Sequence, residues 1–147
     1  MTDAAGDVLA RYLAAQNAGD VDAAIATIAP GAVFDVGRGR YEGGEVRAFL
    51  ERLRAVHSVT TVVSLGDAGG SHVTAVLDQR DDDLVPLGID AIRLDAEVDV
   101  AGGRITRFAA RPTADSLERI SAARDAGRRS EGVDLAERAG TLPPPTD

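Results

Sequence analysis

The fold is decided by the stretch VLARYLAAQNAGDVDAAIATIAPGAVFDV, which covers residues 8–36. Its first part repeats apolar side chains at helical spacing, which predicts a helix with one stripe facing a core. The stripe consists of Val8, Leu9, Tyr12, Leu13 and Gln16. Asn17-Ala18-Gly19-Asp20 follows, and asparagine and glycine tolerate the left-handed dihedrals that end a helix. Asp20 is placed to cap the next helix.

The second part of the stretch predicts a short helix and then a strand. Ala23, Ala24, Ile25 and Ile28 carry the helix, and we expect Pro30-Gly31 to stop it. Residues 32–36 then alternate between apolar and polar side chains, as a half-buried strand does. Two helices therefore run directly into a sheet.

The remaining pattern predicts an α+β domain. A third helix is expected over residues 45–56, and strands over 57–65, 71–80, 91–100 and 104–111. Asp115 and Glu118 have capping-box spacing and predict the start of a last helix, which we expect Gly127 to end. Helices followed by a mostly antiparallel sheet are typical of the α+β class.

The length of 147 residues fits one domain. We expect a short extension over residues 1–6, the domain over 7–126, and a polar, flexible tail over 127–147. The tail contains three consecutive prolines at 143–145, and it has few apolar side chains to bury.

Charge and composition exclude several function classes. The formal net charge is −8, and such a surface repels phosphate backbones and anionic lipid, so we expect no nucleic-acid or membrane partner. No cysteine is present, which excludes thiol chemistry and Cys-ligated metals. The histidines and the run Asp81-Asp82-Asp83 lack the spacing of a metal site. The start of the sequence has no secretory pattern, and we expect a cytoplasmic protein.

The motif N-A-G-D between two helices, and A-V-F-D after Pro-Gly, resembles the NTF2-like superfamily. That group includes SnoaL-type polyketide cyclases, ketosteroid isomerases and limonene-epoxide hydrolases. The resemblance covers residues 7–120. It implies a cone in which three N-terminal helices pack in a curved, mostly antiparallel sheet, with a C-terminal helix added. It also implies an inner cavity for a small apolar, oxygenated ligand, no cofactor, and a homodimer formed through the outer sheet face.

The resemblance implies roles for residues at two of the isomerase positions. Tyr12 matches the tyrosine that donates to an oxyanion, and the alternative is a core tyrosine bonded to a backbone carbonyl. The position of the isomerase general base holds Val36, which cannot move a proton. Asp35 beside it points to the opposite face of a regular strand and is expected at the surface.

Three further positions are implied by the epoxide hydrolases, which use an Arg-x-Asp pair and a second aspartate. Asp78 matches the first aspartate, Val76 the arginine and Ala110 the second aspartate. On this match Asp78 moves or orients a proton, and Arg80, on the same strand face, pairs with it. The alternative is that this face is the solvated one and that residues 75 and 77 lie inside.

The sequence therefore favours a cofactor-free cyclase, isomerase or epoxide-opening enzyme with Tyr12, Asp78 and Arg80 as catalytic residues. Its predicted ligand-binding residues are Phe34, Val36, Val76, Phe108 and Ala110. Two alternatives remain, a binding protein without turnover and a dimerisation module of the same fold.

Overall fold

The computed structural model describes residues 4–36, 39–66 and 69–140, with side chains through residue 127. The helices are α1 (Ala5–Asn17), α2 (Val21–Ala26), α3 (Glu45–Ala55) and α4 (Ala114–Gly140), with a 3-10 turn at Val85–Leu87. The strands are β1 (Ile28–Val36), β2 (Gly39–Glu42), β3 (Val59–Gly66), β4 (His72–Arg80), β5 (Ile92–Ala101) and β6 (Arg104–Pro112).

The strands form one curved sheet in the order β2-β1-β6-β5-β4-β3. All neighbours are antiparallel except β1 and β6, which are parallel. Helix α1 packs across the inner face against β3, β4, β5 and β6. The predicted α+β cone is thereby confirmed.

Strand alternation determines which side chains lie inside the cone. On β5 every second residue from Ile92 to Val100 is apolar and buried, and the residues between them are exposed or half-buried charges. The buried set is Ile92, Leu94, Ala96, Val98 and Val100. Because successive side chains of a strand point to opposite faces, one face of the sheet becomes the core and the other is charged.

The corner after α1 forms as predicted and also attaches α1 to the edge strand β3. The Asn17 side-chain amide donates to the Thr60 carbonyl at 2.8 Å and accepts from the Thr60 N–H at 2.8 Å. Gly19 has a positive φ of 70°, and the Asp20 carboxylate accepts from the Ala23 N–H at 3.1 Å. The chain therefore turns sharply into α2.

Three predicted boundaries are wrong. Ile28 lies in β1, and the strand runs through Pro30 and Gly31 with a register shift between Ile28 and Val33, where an irregular ladder tolerates proline. Helix α4 continues past Gly127 to Gly140, because each of its two internal glycines, Gly127 and Gly132, costs only about 1 kcal/mol among good helix formers. The hydroxyl of Thr113, rather than Asp115, caps α4 by accepting from the Ser116 N–H at 3.3 Å.

No helix in the described part of the chain is long and apolar enough to cross a membrane. The predicted extension and tail lie partly outside the described residues, at 1–3 and 141–147. The proposed domain boundaries therefore stay a prediction.

Candidate functional site

A cavity of about 190 Å³ lies inside the cone, between α1, α3 and the inner face of the sheet. Most of its lining is apolar. These residues are Val36, Phe49, Leu53, Leu77, Ile92, Leu94, Phe108, Ala110 and Pro112. The polar lining residues are Tyr12, Gln16, Thr60 and Gln79.

Regular periodicity brings these side chains together. Tyr12 and Gln16 are four residues apart on α1 and therefore share one helix face. Phe49 and Leu53 repeat this spacing on α3. Strands β4, β5 and β6 each contribute inner positions two residues apart, as with Leu77 and Gln79 on β4.

Tyr12 supplies the one phenol among the described residues of this lining, and its ring packs against two phenylalanine rings. The residue is 1% exposed, and its ring lies 5.7 Å from Phe34 and 5.5 Å from Phe108, measured between centroids. Among the described residues no group hydrogen-bonds to the Tyr12 hydroxyl, and because no fully occluded side-chain polar atom there lacks a partner, the hydroxyl oxygen must border the cavity. Burial raises the pKa of the phenol, so it stays protonated and can donate. The alternative of a core tyrosine bonded to a carbonyl finds no support here.

An aromatic cluster forms the wall behind Tyr12. Phe34 and Phe108 stack at 5.2 Å between centroids and are direct register partners on β1 and β6. Phe49 lies 6.1 Å from Phe34 and 4.8 Å from Tyr41. Tyr12, Phe49 and Phe108 thus line the cavity, and Phe34 is fully buried behind them.

Two side-chain amides supply the remaining polar atoms. The Gln16 nitrogen donates to the Thr60 hydroxyl at 3.1 Å. The Gln79 nitrogen donates to the Asp81 carboxylate at 3.1 Å and to the Ser58 hydroxyl at 3.4 Å. Burial, and then the nearby charge of Asp83, raise the pKa of Asp81.

The prediction that Asp78 projects into the cavity is wrong. Asp78 lies on the outer sheet face, where it accepts from Arg93 at 3.0 and 3.2 Å, and Leu77 occupies the inner position. The hydrogen bond from Arg93 lowers the pKa of the Asp78 carboxyl. Arg80 shares the outer face and is exposed at the end of β4, so it does not reach the cavity either.

Of the predicted ligand-binding residues, Val36, Phe108 and Ala110 line the cavity. Val76 does not, because it alternates with Leu77 and lies on the outer face opposite Asp95. Phe34 does not line the cavity, but its ring packs against the lining residues Tyr12, Phe49 and Phe108. Asp35 lies outside as expected, and its carboxylate accepts from Arg111 at 3.2 Å.

The acidic loop after β4 and the two histidines form local pairs. His57 Nδ1 lies 2.6 Å from the Asp82 carboxylate, and His72 Nδ1 lies 2.6 Å from Asp99. The described residues contain no cluster of three or more His, Cys, Asp or Glu side chains that could hold a metal ion.

Sequence reasoning missed Gln16, Thr60 and Gln79. The alternation of β4 contained the signal, since Gln79 follows Leu77 by two residues and must share its face. Matching Asp78 to a catalytic aspartate shifted the inferred inner face of β4 by one residue. A shift of one residue moves every side chain of a strand to the opposite face of the sheet.

A larger concavity of about 670 Å³ lies on the outer sheet face. Four of its charged residues form ion pairs within the chain, Arg111 with Asp35 at 3.2 Å and Arg107 with Glu97 at 3.8 Å. Val76 and Ala109 lie between these pairs. The inner cavity is the better candidate for a small-molecule site, because its lining is mostly apolar with a few polar groups.

No known family model matches the sequence, and no curated protein matches it. Solved structures do resemble the fold. An NTF2-like protein of unknown function from Cytophaga hutchinsonii is 17% identical, with a TM-score of 0.61 over 76% of this chain and 91% of its own. SalBIII, an epoxide hydrolase/cyclase-like enzyme in pyran ring formation of the polyether salinomycin, is 20% identical, with a TM-score of 0.65 over 75% and 91%.

A candidate polyketide cyclase from Pseudomonas putida is similar at 22% identity. Its TM-score is 0.59, over 80% of this chain and 96% of its own. At such identities the likeness concerns the fold, which agrees with the resemblance seen in the sequence.

Proposed function

Because this chain has the NTF2-like fold, we propose that its inner cavity binds a small, neutral, largely apolar ligand, with Tyr12 donating a hydrogen bond to a ligand oxygen. One observation carries this proposal: the phenol of Tyr12 lines the cavity and has no hydrogen-bond partner among the described residues. A buried polar group usually has a partner, and a ligand oxygen would supply it.

The lining indicates the charge of the ligand. Among the described residues that line the cavity, none is charged. Burying an unpaired charge is costly, so a carboxylate or an amine would bind poorly. Neutral ketones, alcohols and ethers fit this lining.

The volume indicates the size of the ligand. An apolar cavity of about 150 Å³ in another protein accommodates benzene. The cavity here, at about 190 Å³, therefore suits one substituted six-membered ring.

A cofactor-free enzyme of the SnoaL type is the second candidate, favoured by the same phenol. A fixed neutral donor in an apolar site can stabilise negative charge on a reacting oxygen. Acid–base catalysis also needs a group that moves a proton, and no carboxylate or histidine is among the described lining residues. The groups that line the cavity are therefore sufficient for binding, whereas an enzyme would also need a group that moves a proton.

Tyr12→Phe tests the binding function. Phenylalanine keeps the ring contacts and removes the hydroxyl, so we expect cyclohexanone to bind about fivefold more weakly, which corresponds to about 1 kcal/mol. Titration followed by NMR gives both dissociation constants.

Asp78→Asn is the matched control, because Asp78 lies on the outer face and should not affect binding. Equal affinity of the wild type and Tyr12→Phe would contradict the role of the phenol. Turnover of an epoxide or enolisable ketone by the wild type, lost in Tyr12→Phe, would favour the enzyme.

We also propose that the outer sheet face packs against a second copy of this chain. The support is the open groove around Val76 and Ala109, where Arg111 and Arg107 already form ion pairs with Asp35 and Glu97 within the chain. A face with paired charges costs less to desolvate than one with free charges.

Light scattering should give twice the chain mass of 15.2 kDa. We expect Val76→Glu to convert the dimer to a monomer, because it places a second carboxylate directly opposite Asp95 in the middle of the groove. Glu51→Arg, on the exposed side of α3, is the control and should stay dimeric. A wild-type mass of one chain at micromolar concentration excludes the dimer.

A further inference from the structure

The amide of Gln79 has a fixed orientation, and an acid outside the cavity fixes it. An ionised carboxylate can only accept hydrogen bonds, so the Gln79 nitrogen must face Asp81, at 3.1 Å. The same nitrogen reaches the Ser58 hydroxyl at 3.4 Å. Both N–H groups of the amide are thereby used.

The Gln79 carbonyl oxygen is the polar atom that remains. In the described part of the chain no group hydrogen-bonds to it, although the side chain lines the cavity. The amide therefore offers a ligand an acceptor and no donor. Gln16 differs, because its partner Thr60 is a hydroxyl that can donate or accept and leaves that amide free to turn.

We infer that Gln79, oriented by Asp81, is a specificity-determining residue that selects ligands carrying a hydroxyl group over matched ligands carrying only acceptor oxygens. The inference rests on the proposed function and defines its ligand class. Tyr12 donates to one ligand oxygen, and Gln79 accepts from a ligand hydroxyl. A ketone opposite Gln79 would leave two acceptors facing each other.

Asp81 itself is held so that a single substitution reverses the amide. Its other carboxylate oxygen accepts from the Asp83 N–H at 3.0 Å. In Asp81→Asn the Asp83 N–H still needs an acceptor, so the amide oxygen of the new asparagine stays on that side. The amide nitrogen of the asparagine then faces Gln79. Gln79 must then turn its carbonyl toward the loop and its nitrogen toward the cavity.

The test measures dissociation constants by NMR for two matched pairs of probes. If a single ligand oxygen contacts both Tyr12 and Gln79, the informative pair is cyclohexanol and cyclohexanone. If each residue contacts a separate ligand oxygen, the informative pair is 4-hydroxycyclohexanone and cyclohexane-1,4-dione. In the wild type we expect the hydroxyl member of at least one pair to bind about fivefold more tightly. Asp81→Asn should abolish or reverse that preference.

Two variants complete the design. Asp83→Asn removes the same charge from the same loop without touching Gln79, and it should keep the wild-type preference. Gln79→Met removes the amide and keeps an unbranched side chain, so it should bind both members of each pair equally. If Asp81→Asn does not fold, Gln79→Met decides the result.

A wild type without preference, or a preference that survives Gln79→Met, overturns the inference. The binding function then stands on its own, provided that Tyr12→Phe still weakens cyclohexanone binding. If none of the four probes binds the wild type, the proposed function fails and the inference fails with it.

Discussion

Ala110→Leu is expected to weaken cyclohexanone binding about 100-fold, or about 2.7 kcal/mol. Ala110 is 4% exposed on the inner face of β6 and lines the cavity. Three additional carbon atoms there would occupy space that a one-ring ligand needs in a cavity of about 190 Å³. NMR titration of the folded variant measures the loss.

The neighbouring Ala109→Leu is the matched control. Ala109 lies on the opposite face of the same strand, in the outer groove, so the same enlargement should leave affinity unchanged. Thermal unfolding of Ala110→Leu should show no large loss of stability, because the new side chain fills an existing void. An unaltered dissociation constant in Ala110→Leu would show that ligands bind elsewhere.

Phe34→Ala should have the largest effect on stability, lowering the free energy of unfolding by about 3–5 kcal/mol. Phe34 is fully buried and packs against the rings of Tyr12, Phe49 and Phe108. Its removal leaves a cavity that the parallel strands β1 and β6 cannot close. Such a loss is a large share of the roughly 5–15 kcal/mol that stabilises an ordinary domain.

Urea unfolding followed by circular dichroism measures the change, and the slope should stay constant if the transition remains two-state. Phe49→Ala is the comparison, because Phe49 is only partly buried and should cost less. A loss below about 1 kcal/mol in Phe34→Ala would mean that the aromatic cluster is not the main support of the cone.

Local sequence determined the elements and the fold class. The apolar stripe on α1, the Asn17–Asp20 corner and the alternation of β5 each have a local physical cause, and each formed as predicted. Those patterns also placed Tyr12 correctly, because a residue on the apolar stripe of a helix must face the core.

Local reasoning also explains the errors in the boundaries. The register irregularity of β1 that accommodates Pro30 depends on its partner β6, which is distant in sequence. Helix α4 passes Gly127 because the sum of many helix propensities outweighs its two internal glycines. Neither the pairing of β1 with β6 nor the summed helix propensity of α4 can be read from a few consecutive residues.

Which face of β4 is inside was decided by tertiary structure. The strand sequence V-L-D-Q-R allows either parity, and matching Asp78 to a catalytic residue favoured the wrong one. In the folded chain Arg93 on β5 reaches Asp78, and Leu77 is fully buried on the inner face. An ion pair outside and an apolar side chain inside cost less than the reverse, because burying an unpaired carboxylate is expensive.

The orientation of the Gln79 amide was likewise decided only by the fold, which brings Asp81 and Ser58 to the same nitrogen. Periodicity in the sequence by itself determined the α+β class and a Tyr12 that faces the core, because it fixes which side chains share a face, whereas the cone was implied by the resemblance to NTF2-like proteins. The polar groups that face a ligand depend on hydrogen bonds between separate elements, and only the tertiary structure forms these.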